Sequence, residues 1–269
     1  MPINLLPEEI ESYRDRAWHR EPERRIEDAQ AAEQFIDSLG FCASLTDARR
    51  PGPSLFIAVC GRRDAHLPRN VQKDPESSLT WVLKDEVMQR GKVYYAKLAR
   101  GRSTFIARRL ISSFHSVWGI PARGEAKLLS PEGKAVLKVL RREWEMATRD
   151  LQQASRIQER AKFLRAMDEL QRTFKIIPAE VVYRPKFTYI WTVGEGRFPV
   201  ELATVVARED ALREIARSFL QNAGLTLRGE LARVTGLSAP DAGLGNWALV
   251  DEGFAARVGP GVYRLKGLT

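Results

Sequence analysis

Cysteine is nearly absent from this chain: Cys42 and Cys60 are the only two in 269 residues, and both sit among apolar neighbours. They read as small buried hydrophobes in a reducing compartment, not as a disulfide or a metal pair. Histidine is equally scarce. His19, His66 and His115 stand apart, with no second ligand at metal spacing, so no metal site is expected. No apolar run is long enough to span a bilayer, and Leu5-Leu6 is followed at once by Pro7-Glu8-Glu9, which breaks any secretory leader. A cytoplasmic, nucleoid-associated protein without membrane contact is the expectation. There is no glycine-rich phosphate loop, no nucleophile elbow and no spacing of Ser, Cys and His that makes a triad. No cofactor is expected.

One absence is local and more telling. Between Val87 and Gly124 there is no carboxylate, yet the segment holds eight cations: Arg90, Lys92, Lys97, Arg100, Arg102, Arg108, Arg109 and Arg123. A solvated surface usually alternates in sign, as the stretch from Glu8 to Glu33 does. With a formal net charge of +9 over the whole chain, the bias points to a polyanionic partner. An arginine-inflating base composition of the gene is the alternative source.

What is present is clearest from Ser130 to Val193. Ser130-Pro131-Glu132 is a helix start, with a capping hydroxyl and a proline in the first turn. Val136, Leu137, Leu140 and Trp144 follow at helical spacing. Thr148 caps a second, short helix over 149–154. A third runs over 158–174 and carries Phe163, Met167, Leu170 and Phe174 on one face. Extended segments then flank a turn at Arg184-Pro185-Lys186. Helix, short helix, amphipathic helix and basic-tipped hairpin is the order of a winged helix-turn-helix, whose third helix and hairpin usually meet DNA.

The expected fold is α+β and helix-rich, built of tandem winged helix-turn-helix units. An arm over 1–30 precedes a mixed α/β unit over 31–125, with a helix over 29–39, an irregular 41–60, a polar loop over 64–78 and a helix over 102–117. The central winged helix occupies 126–199. A degenerate third unit fills 200–269, its last helix over 240–247 weakened by Gly243 and Gly245, each costing roughly 1 kcal/mol.

Three passages carry a family resemblance. They are Tyr189-Ile190-Trp191-Thr192-Val193 with Arg197-Phe198-Pro199, then Gly224 to Ser238 with Gly236-Leu237-Ser238 as a turn, and Trp81-Val82-Leu83-Lys84-Asp85-Glu86 with Tyr94-Tyr95-Ala96-Lys97-Leu98. Together they resemble the AlkZ-type winged-helix DNA glycosylases, and the last is similar to their AlkZ-related branch. The resemblance implies tandem winged helices forming a concave DNA-holding surface. The family's Gln-x-Asp signature, which positions a water against the sugar of a damaged nucleoside, falls on Phe35-Ile36-Asp37. The aspartate is kept and a phenylalanine replaces the glutamine. Tyr95-Ala96-Lys97 stands where the family carries Trp-Ala-His.

The candidate catalytic groups are therefore Asp37, Asp85, Glu86 and Lys97. Lys84, Asp85, Glu86 and Lys97 form a charged cluster among Trp81, Tyr94 and Tyr95. There carboxylates could move protons, lysine could meet phosphate or an abasic aldehyde, and rings could stack a displaced base. An ordinary helix end with ion pairs beside core aromatics fits the same residues. The candidate DNA contacts are Arg100, Arg102, Arg108, Arg109, Arg156, Arg160, Lys162, Arg165, Arg172, Arg184 and Lys186. The expected partner is double-stranded DNA, damaged or distorted, bound by a monomer. Two readings stay open beside simple binding: a DNA glycosylase, and a winged-helix transcriptional regulator. A protein-interaction scaffold is a further alternative.

Overall fold

A computed structural model describes residues 6–98 and 101–268. After α1 (Glu8–Ala17), one order of elements occurs three times: helix, short strand, two helices and a hairpin. The first pass comprises α2 (Ala29–Leu39), β1 (Phe41–Ala43), α3 (Leu55–Cys60), α4 (Pro75–Arg90), β2 (Tyr94–Lys97) and β3 (Ser103–Ile106). α5 (Ile111–Trp118) and α6 (Glu125–Leu128) lead to the second: α7 (Pro131–Glu143), β4 (Glu145–Ala147), α8 (Thr148–Ala154), α9 (Arg160–Arg172), β5 (Ile176–Val182) and β6 (Thr188–Val193). Past α10 (Gly194–Arg197) and α11 (Pro199–Ala203) the third holds α12 (Arg208–Ala223), β7 (Leu225–Thr226), α13 (Glu230–Thr235), α14 (Ala239–Asp251), β8 (Ala255–Gly259) and β9 (Val262–Leu265). Each pass makes a three-stranded antiparallel sheet with its last strand in the middle: β1-β3-β2, β4-β6-β5 and β7-β9-β8.

The same start signal opens a helix in every pass. Ser130 Oγ accepts from Gly133 N at 3.0 Å, Asp74 Oδ1 from Ser77 N at 2.7 Å and Ser238 Oγ from Asp241 N at 3.2 Å, each with proline in the first turn. The polar loop expected over 64–78 thus ends at Asp74, where α4 begins. The irregular segment expected over 41–60 is confined to 44–54, where Arg50-Pro51-Gly52-Pro53 lies; β1 precedes it and α3 follows it. The helix expected over 102–117 is split, because Phe105 and its neighbours pair with both Phe41–Ala43 and Tyr94–Lys97 as the central strand. Thr148 does not cap α8. Its Oγ1 accepts from Trp191 Nε1 at 2.9 Å and ties that helix to the hairpin. Trp144 leaves the apolar stripe of α7, since it ends the helix at φ 67° and is largely exposed.

α14 runs through both glycines that were expected to weaken it. A Cβ at Gly245 would lie 2.5 Å from the Leu212 carbonyl of α12, so its absence lets the two helices touch backbone to backbone. Gly245→Ala is expected to lower stability by about 1–3 kcal/mol despite alanine's better helix propensity. Gly243→Ala, with open space around it, should stabilise; urea midpoints of the two variants separate these effects.

The core is shared unevenly. One buried cluster joins the first and third passes, with Phe41 edge-on to Phe114 and stacked on Phe219 across α5, α12 and the first sheet. α7, α8 and α9 bury Val136, Leu140, Leu151, Phe163 and Leu170 in a second cluster of their own. β5 lies between them: Ile176 belongs to the second, and Ile177 and Val181, separated by a register shift between Pro178 and Glu180, to the first. The arm is docked by α1, where buried Arg14 meets Glu230 at 3.0 Å. Cys42 and Cys60 are free and buried. No helix among the described residues is long and apolar enough to cross a membrane.

Candidate functional site

The first two passes interlock through their third helices. α4 packs on β5 of the central hairpin, and α9 packs on β2. At the first junction the sequence Trp81-Val82-Leu83-Lys84-Asp85 turns Lys84 and Asp85 inward. Lys84 Nζ lies 2.7 Å from Asp85 Oδ1 and donates to Tyr189 Oη at 2.8 Å, with side-chain exposures of only 1% and 5% for the ion pair. Tyr183 Oη–H donates to Asp85 Oδ2. The ammonium also sits 4.1 Å from the Trp81 ring centre, a cation–π contact strengthened by desolvation, and meets Tyr189 at its hydroxyl edge. Burial pulls the Lys84 ammonium below the usual lysine range, and Asp85 opposes that pull.

Tyrosines surround the pair. Burial pushes the Tyr95 hydroxyl up to about 12, aided by the Asp85 charge; burial raises Tyr94 and Tyr189 as well. Each stays protonated in the fold above pH 10, where the unfolded chain loses that proton. Stability is therefore full below pH 10 and falls as pH rises toward 12, by about 1.4 kcal/mol per pH unit for each tyrosine. Urea unfolding between about pH 9 and 11 should show this fall, and a shallower one in Tyr95→Phe.

Of the four catalytic candidates, only Asp85 lies in this cluster. Glu86, the next residue of α4, is turned about 100° away and exposed. Asp37 is exposed near the end of α2, whereas Phe35 is buried and packs on His19 at 4.9 Å. Lys97 is half-exposed; its Nζ meets Asp168 of α9 at 3.1 Å and its backbone N–H donates to Gln171 Oε1 at 3.1 Å. No hydrogen bond or ion pair joins Asp37, Asp85, Glu86 and Lys97 to one another. Tyr94 and Tyr95 are core residues and offer no face to a ligand. Tyr183 and Tyr189, from the central hairpin, are the partners that sequence reading did not attach to Lys84 and Asp85. No cluster of metal-ligating side chains occurs among the described residues.

The cation candidates divide by partner. Arg108 is paired with Glu201, Lys162 with Glu159 at 2.7 Å, and Arg172 donates to the Asp168 carbonyl at 3.2 Å. Arg109 donates to the Ser38 carbonyl at 3.4 Å, and Arg102 is half-buried with a partner in the protein. Arg156, Arg160, Arg165, Arg184 and Lys186 are exposed without a hydrogen-bond or ion-pair partner among the described residues. Arg100 lies outside the described residues. α9 is thus divided: its second half is docked through Asp168 and Gln171, while Arg160, Leu164 and Arg165 of its first half face solvent.

This order of helices and sheets has a solved counterpart. The Streptomyces sahachiroi DNA glycosylase AlkZ superposes with a TM-score of 0.57 at 13% identity, over 96% of this chain and 69% of that one; at that identity the likeness is one of fold. A Corynebacterium diphtheriae protein, DIP2311, aligns over 71% of this chain and 39% of its own at 16% identity, but with a TM-score of only 0.22. No curated protein matches the sequence. Residues 26–194 match the AlkZ-related family, and the chain belongs to it. The resemblance carried by Trp81–Glu86 and Tyr189–Val193 lies within that span.

Proposed function

We propose that the three passes are winged helix-turn-helix units, divided as 31–125, 126–199 and 200–269 behind the 1–30 arm, and that the protein binds damaged or distorted double-stranded DNA as a monomer. The observation that carries this reading is the set of unpaired cations on the central pass. In a chain whose exposed arginines are widely ion-paired, Arg156 before α9, Arg160 and Arg165 on it, and Arg184 and Lys186 at the hairpin tip have no ion-pair partner among the described residues. Guanidinium groups without an internal acid are free to take phosphate oxygens. Membership of the AlkZ-related family and the fold shared with a DNA glycosylase support the same partner. Cleavage of the glycosidic bond is not part of the proposal, because the resemblance places the family's water-orienting glutamine at Phe35, whose ring is buried and apolar.

Binding to alkylated, abasic and intact duplexes at two salt concentrations tests it. Affinity should fall steeply with salt and favour the lesions, and Arg160→Gln or Arg165→Gln should each reduce the logarithmic salt slope by about 1. A protein that ignores every duplex in dilute buffer would refute the reading. Release of a modified base, lost in Asp37→Asn or Glu86→Gln, would instead establish a glycosylase. A dimer preferring an intact palindromic site would establish a regulator.

A further inference from the structure

The central hairpin and α4 leave three large rings in solvent at one place. Trp81 is 41% exposed, Tyr183 57% and Phe187 48%. The rings are connected: Tyr183 and Phe187 meet edge to face at 5.8 Å, and Phe187 meets Tyr189 at 5.3 Å. Trp81 joins them through Lys84, whose ammonium lies against its ring and bonds the Tyr189 hydroxyl. Tyr183 is held by its hydroxyl on Asp85. A single buried ion pair therefore fixes aromatic side chains from two elements while their outer faces stay uncovered.

We propose that Trp81, Tyr183 and Phe187 are a stacking platform for an unpaired nucleobase of a DNA strand whose phosphates lie on Arg184 and Lys186. The inference rests on the DNA-binding reading and names its substrate class: duplex with unstacked bases, not intact duplex. Two features select this occupant. The first is chemistry: the hairpin tip 183–189 carries two cations and no acid, and the Arg184 and Lys186 side chains have no partner among the described residues. Rings interleaved with free cations suit a polyanion with flat π-faces. The second is rigidity. Rings already held by Lys84 and Asp85 lose little freedom when a base stacks on them. An intact duplex offers no base face, since each is covered by its neighbours; an unpaired base offers two.

The test compares a matched duplex with the same duplex containing a short unpaired bubble, with 2-aminopurine as one unpaired base. Wild-type protein should bind the bubble about tenfold or more tightly, and binding should quench the 2-aminopurine emission. In Trp81→Ala and Phe187→Ala the bubble-to-duplex ratio should fall to near one and the quench should disappear; Phe187→Trp should retain both. Phe187 is at the exposed hairpin tip, so its alanine variant should fold, as far-UV circular dichroism and melting would verify. Equal affinity of the wild type for the two DNAs would overturn the platform and leave DNA binding standing, as would a quench that survives Phe187→Ala. Absence of binding to either DNA would overturn both.

Discussion

Replacing Arg14 with alanine is expected to lower the stability of the protein by about 3–5 kcal/mol. Arg14 is 4% exposed and Glu230 2%. The guanidinium makes two bonds to that carboxylate, at 3.0 and 3.1 Å, and donates to the carbonyls of Ala223 at 3.0 Å and Leu225 at 2.6 Å. Truncation leaves the buried Glu230 carboxylate with only the Leu227 N–H, at 2.9 Å, and takes the guanidinium from two carbonyls; the penalty comes from those under-satisfied groups. Urea unfolding of Arg14→Ala, Glu230→Gln and the double variant would show the effect. The second substitution should cost far less once the first is present. A loss below about 1 kcal/mol would mean that α1 is dispensable to the fold.

Lys84→Met is expected to have a comparable effect, about 3–5 kcal/mol. The methionine fills the same space, so the loss reports the Asp85 carboxylate left buried with only the Tyr183 hydroxyl. Lys84→Met combined with Asp85→Leu should recover most of that loss, because an apolar pair needs neither charge nor partner. Urea midpoints of the single and double variants measure the coupling. If the double variant is no more stable than Lys84→Met alone, the pair is not what holds α4 to the hairpin.

How much of this was readable beforehand follows from distance along the chain. The central pass was legible because its signals are local: a capped start at Ser130, one apolar stripe on α9 and a turn at Pro185. α4 was not, although Asp74-Pro75-Glu76 repeats the start signal. Its buried face, Thr80, Leu83, Lys84, Val87 and Met88, has helical spacing but mixes polar with apolar side chains, while Trp81 and Val82 lie exposed, so no apolar stripe marks it. β3 is four residues long and takes its identity from two partners, one of them more than 60 residues away. The Lys84–Asp85 cluster mixes near and far. The ion pair is between neighbours, but Tyr183 and Tyr189 come from 98 and 105 residues downstream. Sequence could mark the charges as unusual; it could not say that a second module closes over them. The family signature was placed on Phe35-Ile36-Asp37 by resemblance alone; in the fold Phe35 is buried and Asp37 exposed.

The separate interior beneath α7, α8 and α9 has a consequence for how this lineage could change. Substitutions at the exposed positions of α9 touch neither this interior nor the body shared by the first and third passes. Binding preference could then change at little cost to folding.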